Sequence, residues 1–109
     1  MTIVNIYMPN TKTDKVKTIK KLKDYLESEQ EENNLLIVGD FNLIMDEQDC
    51  SPPYTDNPGL TTKWNELEID NDLVDGWRFS HPNERQFTYV QANSLCRIDR
   101  MYAVRNMLN

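Results

Sequence analysis

Apolar and polar positions fall in blocks along the chain, and the period changes from block to block. Ile3-Val4-Asn5-Ile6-Tyr7 is a short β-branched and aromatic run, which predicts a strand. Met8-Pro9-Asn10 ends it, because proline donates no hydrogen bond to a ladder. The period then lengthens. Val16, Ile19, Leu22 and Leu26 recur at three- and four-residue steps, so a helix with one apolar stripe and outward-facing lysines is expected, capped by Thr11 or Thr13. Glu29, Glu31 and Glu32 oppose the helix dipole, and the helix should end before Asn33-Asn34. Leu35-Leu36-Ile37-Val38 has no alternation at all, the pattern of a strand buried on both faces, and it stops at Gly39-Asp40. Strand, helix, strand in this short span is the βαβ rhythm of an α/β fold.

Further along, residues 46–60 are rich in Asp, Pro, Ser and Gly and read as a loop. A short helix is expected over residues 60–69, with Thr61 or Thr62 as cap and Trp64 and Leu67 facing inward. Leu73-Val74-Asp75-Gly76-Trp77 begins another ordered segment. Residues 86–90 and 97–104 predict two late strands, joined through residues 91–95.

The whole chain of 109 residues fits one domain. No apolar run approaches the roughly 18 residues of a transmembrane helix, so no membrane is expected as a partner. No signal segment opens the chain. Cys50 and Cys96 are too few for a disulfide scaffold and have no metal-ligand spacing; nothing in the spacing supports a zinc site that adds the lone histidine, His81.

Charge changes the picture more than composition does. The net −6 is segregated: residues 1–23 carry +5, residues 24–75 carry −14 and residues 76–109 carry +3. Basic ends around an acidic middle suit a polyanionic ligand touching the ends, or simply solvated helix and loop faces. The overall acidity argues against a dedicated tight DNA binder.

The stretch that carries most chemistry is Val38-Gly39-Asp40-Phe41-Asn42. It delivers an Asp, and two residues later an Asn, at the C-terminal edge of a strand, where open α/β sheets place their sites. Such an Asp serves as general base or metal ligand, and such an Asn donates to a phosphate or orients a water. Taken alone, Gly-Asp-Phe-Asn is also an ordinary turn. Tyr7 reads equally as a core aromatic, Thr88 as a β-former, and Asp99 as an ion-pair partner of its flanking arginines. Trp64 and Trp77 read as core.

These segments stand in a particular order. Tyr7-Met8-Pro9-Asn10 precedes Gly39-Asp40-Phe41-Asn42; Asp75-Gly76-Trp77-Arg78, His81-Pro82, Phe87-Thr88 and Cys96-Arg97-Ile98-Asp99-Arg100 follow it. The ordered set resembles the endonuclease/exonuclease/phosphatase family, of the apurinic-type, DNase I-like kind, and most of all the endonuclease domains of non-LTR (LINE-like) retrotransposons. The resemblance implies a Mg²⁺- or Mn²⁺-dependent phosphodiesterase acting on DNA. It gives Asp40 the role of aligning the attacking water, with a possible part as metal ligand. Asn42 holds the scissile phosphate, Tyr7 brings its hydroxyl to that phosphate, and Asp99 orients a catalytic histidine. Thr88 and Asn10 become substrate contacts. Asp75 and Arg78 become a structural corner, and His81-Pro82 a structural turn. Cys96 stands where a serine is common.

The family domain is about twice this length and packs two α/β halves as a four-layer sandwich. The resemblance therefore covers roughly the second half, without the first half and the last strand. The upstream metal-binding Glu and the downstream Ser-Asp-His are absent. The expected consequences are a sheet with an exposed apolar face, open to self-association or to the missing half, and little or no catalysis by these residues alone. Residence is expected inside the cell, and in the nucleus if the element is active. The alternatives are a non-catalytic remnant or binding module, and a phosphoesterase of the same superfamily that takes a small phosphate ester.

Overall fold

The computed structural model describes residues 1–28 and 34–108. Strand β1 (Thr2–Tyr7) leads through helix α1 (Lys12–Ser28) to strand β2 (Leu35–Asp40). The two strands pair in parallel, from Thr2 opposite Leu35 to Tyr7 opposite Asp40. This is the expected βαβ unit. Thr11 caps α1 by accepting the Asp14 N–H through Oγ1 at 3.2 Å. The acids at positions 29, 31 and 32, and the helix end expected near Asn33, lie outside the described residues.

The expected loop at 46–60 holds more structure than its composition signals. A 3-10 turn spans Glu47–Asp49 and strand β3 spans Cys50–Ser51. Helix α2 (Pro58–Asp70) starts earlier than expected. Its cap is Asn57, whose side chain accepts the Gly59 N–H at 2.8 Å, with proline at the first helical position. Strand β4 (Leu73–Asp75) and helix α3 (Gly76–Ser80) follow. The late region also differs from expectation. Strand β5 is Tyr89–Gln91, and the supposed connection contributes a strand of its own, β6 (Ser94–Cys96). Ala92, at φ 36°, makes the tight turn between them, where no Gly advertises a hairpin. Strand β7 (Asp99–Val104) completes the chain's main sheet.

That sheet has the order β1-β2-β7-β4, with β7 antiparallel to both neighbours; a second sheet runs β3-β6-β5. The core lies on one side of the main sheet. Ile6, Leu35, Ile37, Leu73 and Tyr102 meet Ile19, Leu22 and Leu26 of α1 and Leu60, Trp64 and Leu67 of α2. Phe41, Trp64 and Tyr102 pack edge to face in a trio with centroids 5.0–5.2 Å apart. The opposite side is open: Ile3 is 63% exposed and Met101 39%, with Leu36 and Val38 half-buried between them. The continuous apolar run of β2 thus has one buried face and one partly bare face, not two buried ones. Period analysis cannot separate these cases, because it registers that both faces are apolar and not what covers them.

Gly39 is required where it stands. Its φ is +136°, and a Cβ there would sit 2.0 Å from the carbonyl oxygen of Ile6. The two parallel strands approach this closely just before they deliver Tyr7 and Asp40.

One residue-level feature goes beyond the expectations and one expectation is corrected. Cys50 and Cys96 lie opposite one another in the β3–β6 pair and form a disulfide. A separation of 46 residues hides in sequence what one strand pairing brings within 4.2 Å, Cα to Cα. Lys15 does not face outward with the other lysines of α1; it is 7% exposed and pairs with Asp56.

Candidate active site

Asp40, Phe41 and Asn42 leave β2 in alternating directions. Phe41 is fully buried in the aromatic trio, where the Arg100 guanidinium stacks over it at 5.1 Å and donates to the Leu43 carbonyl. The Phe41 N–H donates to the Ile98 carbonyl at 2.8 Å. This anchor leaves its two neighbours at the open end of the sheet. The Asn42 backbone N–H donates to Asp40 Oδ1 at 2.9 Å, closing a short turn that holds Asn42 at φ 38°, in the left-handed region that Asn tolerates. The Asn42 side-chain amide donates to Asn10 Oδ1 at 2.5 Å and to the Pro9 carbonyl at 3.3 Å. The Met8 N–H donates to the Asp40 carbonyl at 2.8 Å. The two segments Tyr7–Asn10 and Asp40–Asn42 are therefore one hydrogen-bonded unit.

Register adds a third member. Tyr7 lies opposite Asp40 across β1–β2, and Asp40 lies opposite Asp99 across β2–β7. Residues directly opposite share a face, so Tyr7, Asp40 and Asp99 form a row over three strands, on the face away from the core. Tyr7 is 72% exposed and so is no core aromatic.

A cavity of about 530 Å³ gathers Tyr7, Asn10, Asp40 and Asn42. Thr88 and Asp99 line a neighbouring cavity of about 630 Å³, with Trp77 and Met101. There Thr88 Oγ1 accepts the backbone N–H groups of Ile98 and Asp99 at 3.0 and 3.1 Å, which sets where Asp99 enters β7. The structure thus brings four of the six candidate residues into one cavity and places the other two in the next, joined through the Asp40–Asp99 pair.

Three polar or charged lining residues of the first cavity are not among the site candidates of the sequence: Lys15, Tyr54 and Asp56. Asp56 Oδ2 accepts the Ile44 N–H at 2.6 Å, and the Tyr54 hydroxyl donates to Oδ1 at 3.5 Å. The negative charge of Asp56, then burial, then that hydrogen bond hold the Tyr54 hydroxyl above its ordinary pKa. A signal for Lys15 was present: Lys15, Ile19, Leu22 and Leu26 stand at i, i+4, i+7 and i+11, so the lysine continues the apolar stripe. Tyr54 and Asp56 lie in the loop, where no period exists to read.

Asp75, Arg78 and His81 belong to a scaffold. Asp49, 2% exposed, accepts from Arg97 Nε at 2.9 Å and Nη2 at 3.2 Å, and from Arg78 Nη2. Asp75 accepts from Arg97 Nη2 at 2.5 Å and caps α3 by accepting the Arg78 N–H at 3.2 Å. Burial opposes the Arg97 charge, but hydrogen bonds and charge from Asp75 and Asp49 outweigh it and hold its pKa above the ordinary arginine value. The Arg78 and Arg97 guanidiniums lie 5.0 and 5.1 Å from the Trp77 ring centroid. The His81 ring stacks on Trp77 at 4.7 Å, with its Nδ1 3.0 Å from the Trp77 carbonyl. Trp77 is half-buried as part of this stack.

Among the described residues no group of three or more His, Cys, Asp or Glu side chains could hold a metal ion. Asp40 Oδ1 is already engaged by the Asn42 N–H. The residues present therefore do not make a metal site by themselves.

No protein-family model matches the chain. Over 111 aligned residues it is 31% identical to the transposon TX1 uncharacterized 149 kDa protein of Xenopus laevis, covering 98% of this chain and 8% of that one. Among solved structures it is similar to a 3'-5' exonuclease, NExo, of Neisseria meningitidis, with TM-score 0.80 and 20% identity over 97% of this chain and 49% of that one. A structure of the 3' phosphatase NExo from Neisseria bound to product DNA hairpin gives TM-score 0.78 and 19% identity, again covering 97% and 49%. The chain has the mixed α/β fold of these DNase I-like exonuclease/phosphatase proteins, and it spans about half their length.

Proposed function

We propose that these residues form one part of a phosphodiesterase site for DNA in a retroelement protein, the part that aligns the attacking water and seats the phosphate. The observation that supports this most is the row Tyr7–Asp40–Asp99, with Asn42 locked to Asn10 beside it. Asp40 keeps one carboxylate oxygen free of the Asn42 turn, able to accept a proton from water in the direction of the cavity. The Tyr7 hydroxyl is a donor suited to a phosphoryl oxygen. Asn42 cannot swing freely, because its amide already holds two acceptors; its role is a fixed orientation. Asp99 is a carboxylate able to hold an imidazole in one tautomer.

We propose further that a polypeptide of these 109 residues does not turn over on its own. A divalent cation at Asp40 needs ligands beyond the described residues, and hydrolysis needs charge neutralisation at the phosphoryl oxygens. The bare side of the main sheet supports a missing structural partner on the same grounds. Incubation of supercoiled plasmid with the purified chain and Mg²⁺ or Mn²⁺ should give no nicking above buffer, while labelled oligonucleotide still binds. Metal-dependent nicking abolished by Asp40→Ala overturns the claim of inactivity. Failure to bind DNA at low salt overturns the assignment to nucleic acid.

A further inference from the structure

The ammonium of Lys15 is an unfinished interaction. Removing a charge from water is costly unless it is paired and hydrogen-bonded. Lys15 is 7% exposed, yet its ion pair with Asp56 is 3.7 Å long, beyond hydrogen-bonding reach. Asp56 is itself committed, with Oδ2 on the Ile44 N–H and Oδ1 facing the Tyr54 hydroxyl. Among the described residues its recorded partner is Asp56 alone, and the ammonium is not one of the fully buried unpartnered atoms, so it stays open to the water of the cavity. The group lines the same cavity as Tyr7, Asn10, Asp40 and Asn42, and it is the sole cation among the lining residues, opposite two carboxylates.

We infer that Lys15 is a phosphate-binding residue of this site: it contacts a phosphodiester of the nucleic-acid backbone, with Asp56 holding it in place. This rests on the assignment of the cavity to nucleic acid made above. A phosphate oxygen supplies a closer acceptor than Asp56 does and takes the place of cavity water at the ammonium. A preplaced cation also offsets the two carboxylates, which would otherwise repel a polyanion from the cavity. The other lysines of α1 do not share this setting. Lys20, for one, has a side chain 72% exposed and spends its charge on Asp24 at 3.0 Å.

The test is binding of a fluorescein-labelled DNA oligonucleotide to the full chain, followed by anisotropy across a chloride series. Lys15→Met and Lys15→Gln should weaken binding about five- to tenfold at low salt and lower the slope of log K against log salt by about 0.7–0.9, the loss of one phosphate contact. Lys15→Arg should keep most of the affinity and the slope. Lys20→Met should stay within twofold of wild type. Thermal melts identify any variant that fails to fold; the glutamine variant keeps a polar partner for Asp56 if the methionine variant does not. Inorganic phosphate at matched ionic strength should compete no better than chloride. Wild-type binding with Lys15→Met and Lys15→Gln both unchanged overturns the Lys15 assignment and leaves the wider reading standing. Strong displacement by inorganic phosphate also overturns it, in favour of a free-phosphate site. Absence of wild-type binding overturns both readings.

Discussion

Substituting Asn for Asp49 tests whether the buried arginines hold this fold together or merely decorate it. Asp49 accepts three charge-assisted hydrogen bonds, two from Arg97 and one from Arg78, at a side chain only 3% exposed. Removing one partner of a buried pair costs about 3–5 kcal/mol, because the charge left behind stays desolvated. Here the strandedness is partial. Arg97 keeps Asp75, and Arg78 keeps the carbonyls of His81 and Glu84 at 3.1 and 2.6 Å. The low end of the range, about 3 kcal/mol, is therefore expected. Asp75→Asn should cost less, about 1–2 kcal/mol, since its side chain is 15% exposed and Arg97 then keeps the bidentate Asp49 contact. The assay is urea unfolding followed by the fluorescence of the buried Trp64. With a slope of about 1–2 kcal/mol per molar, a 3 kcal/mol loss lowers the midpoint by roughly 1.5–3 M. Two outcomes refute the reasoning: an Asp49→Asn loss under about 1 kcal/mol, or an Asp75→Asn loss equal to or above it.

Other consequences are as direct. Gly39→Ala should destabilise the chain by at least about 2 kcal/mol, from the clash with the Ile6 carbonyl and the positive φ, measured by the same urea series. Reduction of the Cys50–Cys96 disulfide reopens a loop of 46 residues in the unfolded chain and should lower stability by about 4 kcal/mol on the chain-entropy relation; matched unfolding with and without reductant measures it. Burial pushes the Glu68 carboxyl up to about 7, with Arg100 opposing and Asp75 adding to the shift. A raised carboxyl pKa means the folded state binds the proton more tightly than the unfolded state does. Its contribution is thus full below the ordinary value of 4.5 and is lost as pH rises through about 7. Glu68→Gln should flatten the stability profile across that window; an unchanged profile would show that Glu68 is well solvated.

Much of the fold was legible because period and punctuation agree with burial. The stripe of α1 and the Pro9 stop each reflect a local rule, and tertiary packing did not override them. The Asp40–Asn42 edge was legible for the same reason, since a buried strand ending in Asp-x-Asn has few other places to end. What escaped notice depends on contacts between distant residues. Strand β6 is three residues long and owes its pairing to β3 and β5, so no period exists to detect it. Asp49 lies in a stretch whose composition says loop, and its partners are 29 and 48 residues away. Lys15 is hard to recognise because its charge points to solvent while its position continues the apolar stripe. The number of cysteines carries no information on their pairing, which one strand pair decides.

The alternation at Asp40, Phe41 and Asn42 also bears on how such a chain changes over generations. The middle residue belongs to the aromatic trio and the outer two to the cavity. Loss of either polar side chain breaks hydrogen bonds at the rim of the cavity but leaves the core packing intact, so selection on folding acts on it far more weakly. Replacement of Phe41 opens the core and is eliminated together with the protein. The architecture and the chemistry therefore drift on separate clocks: a copy of this sequence that has lost its reaction keeps its shape, and the polar residues around the anchor record the difference.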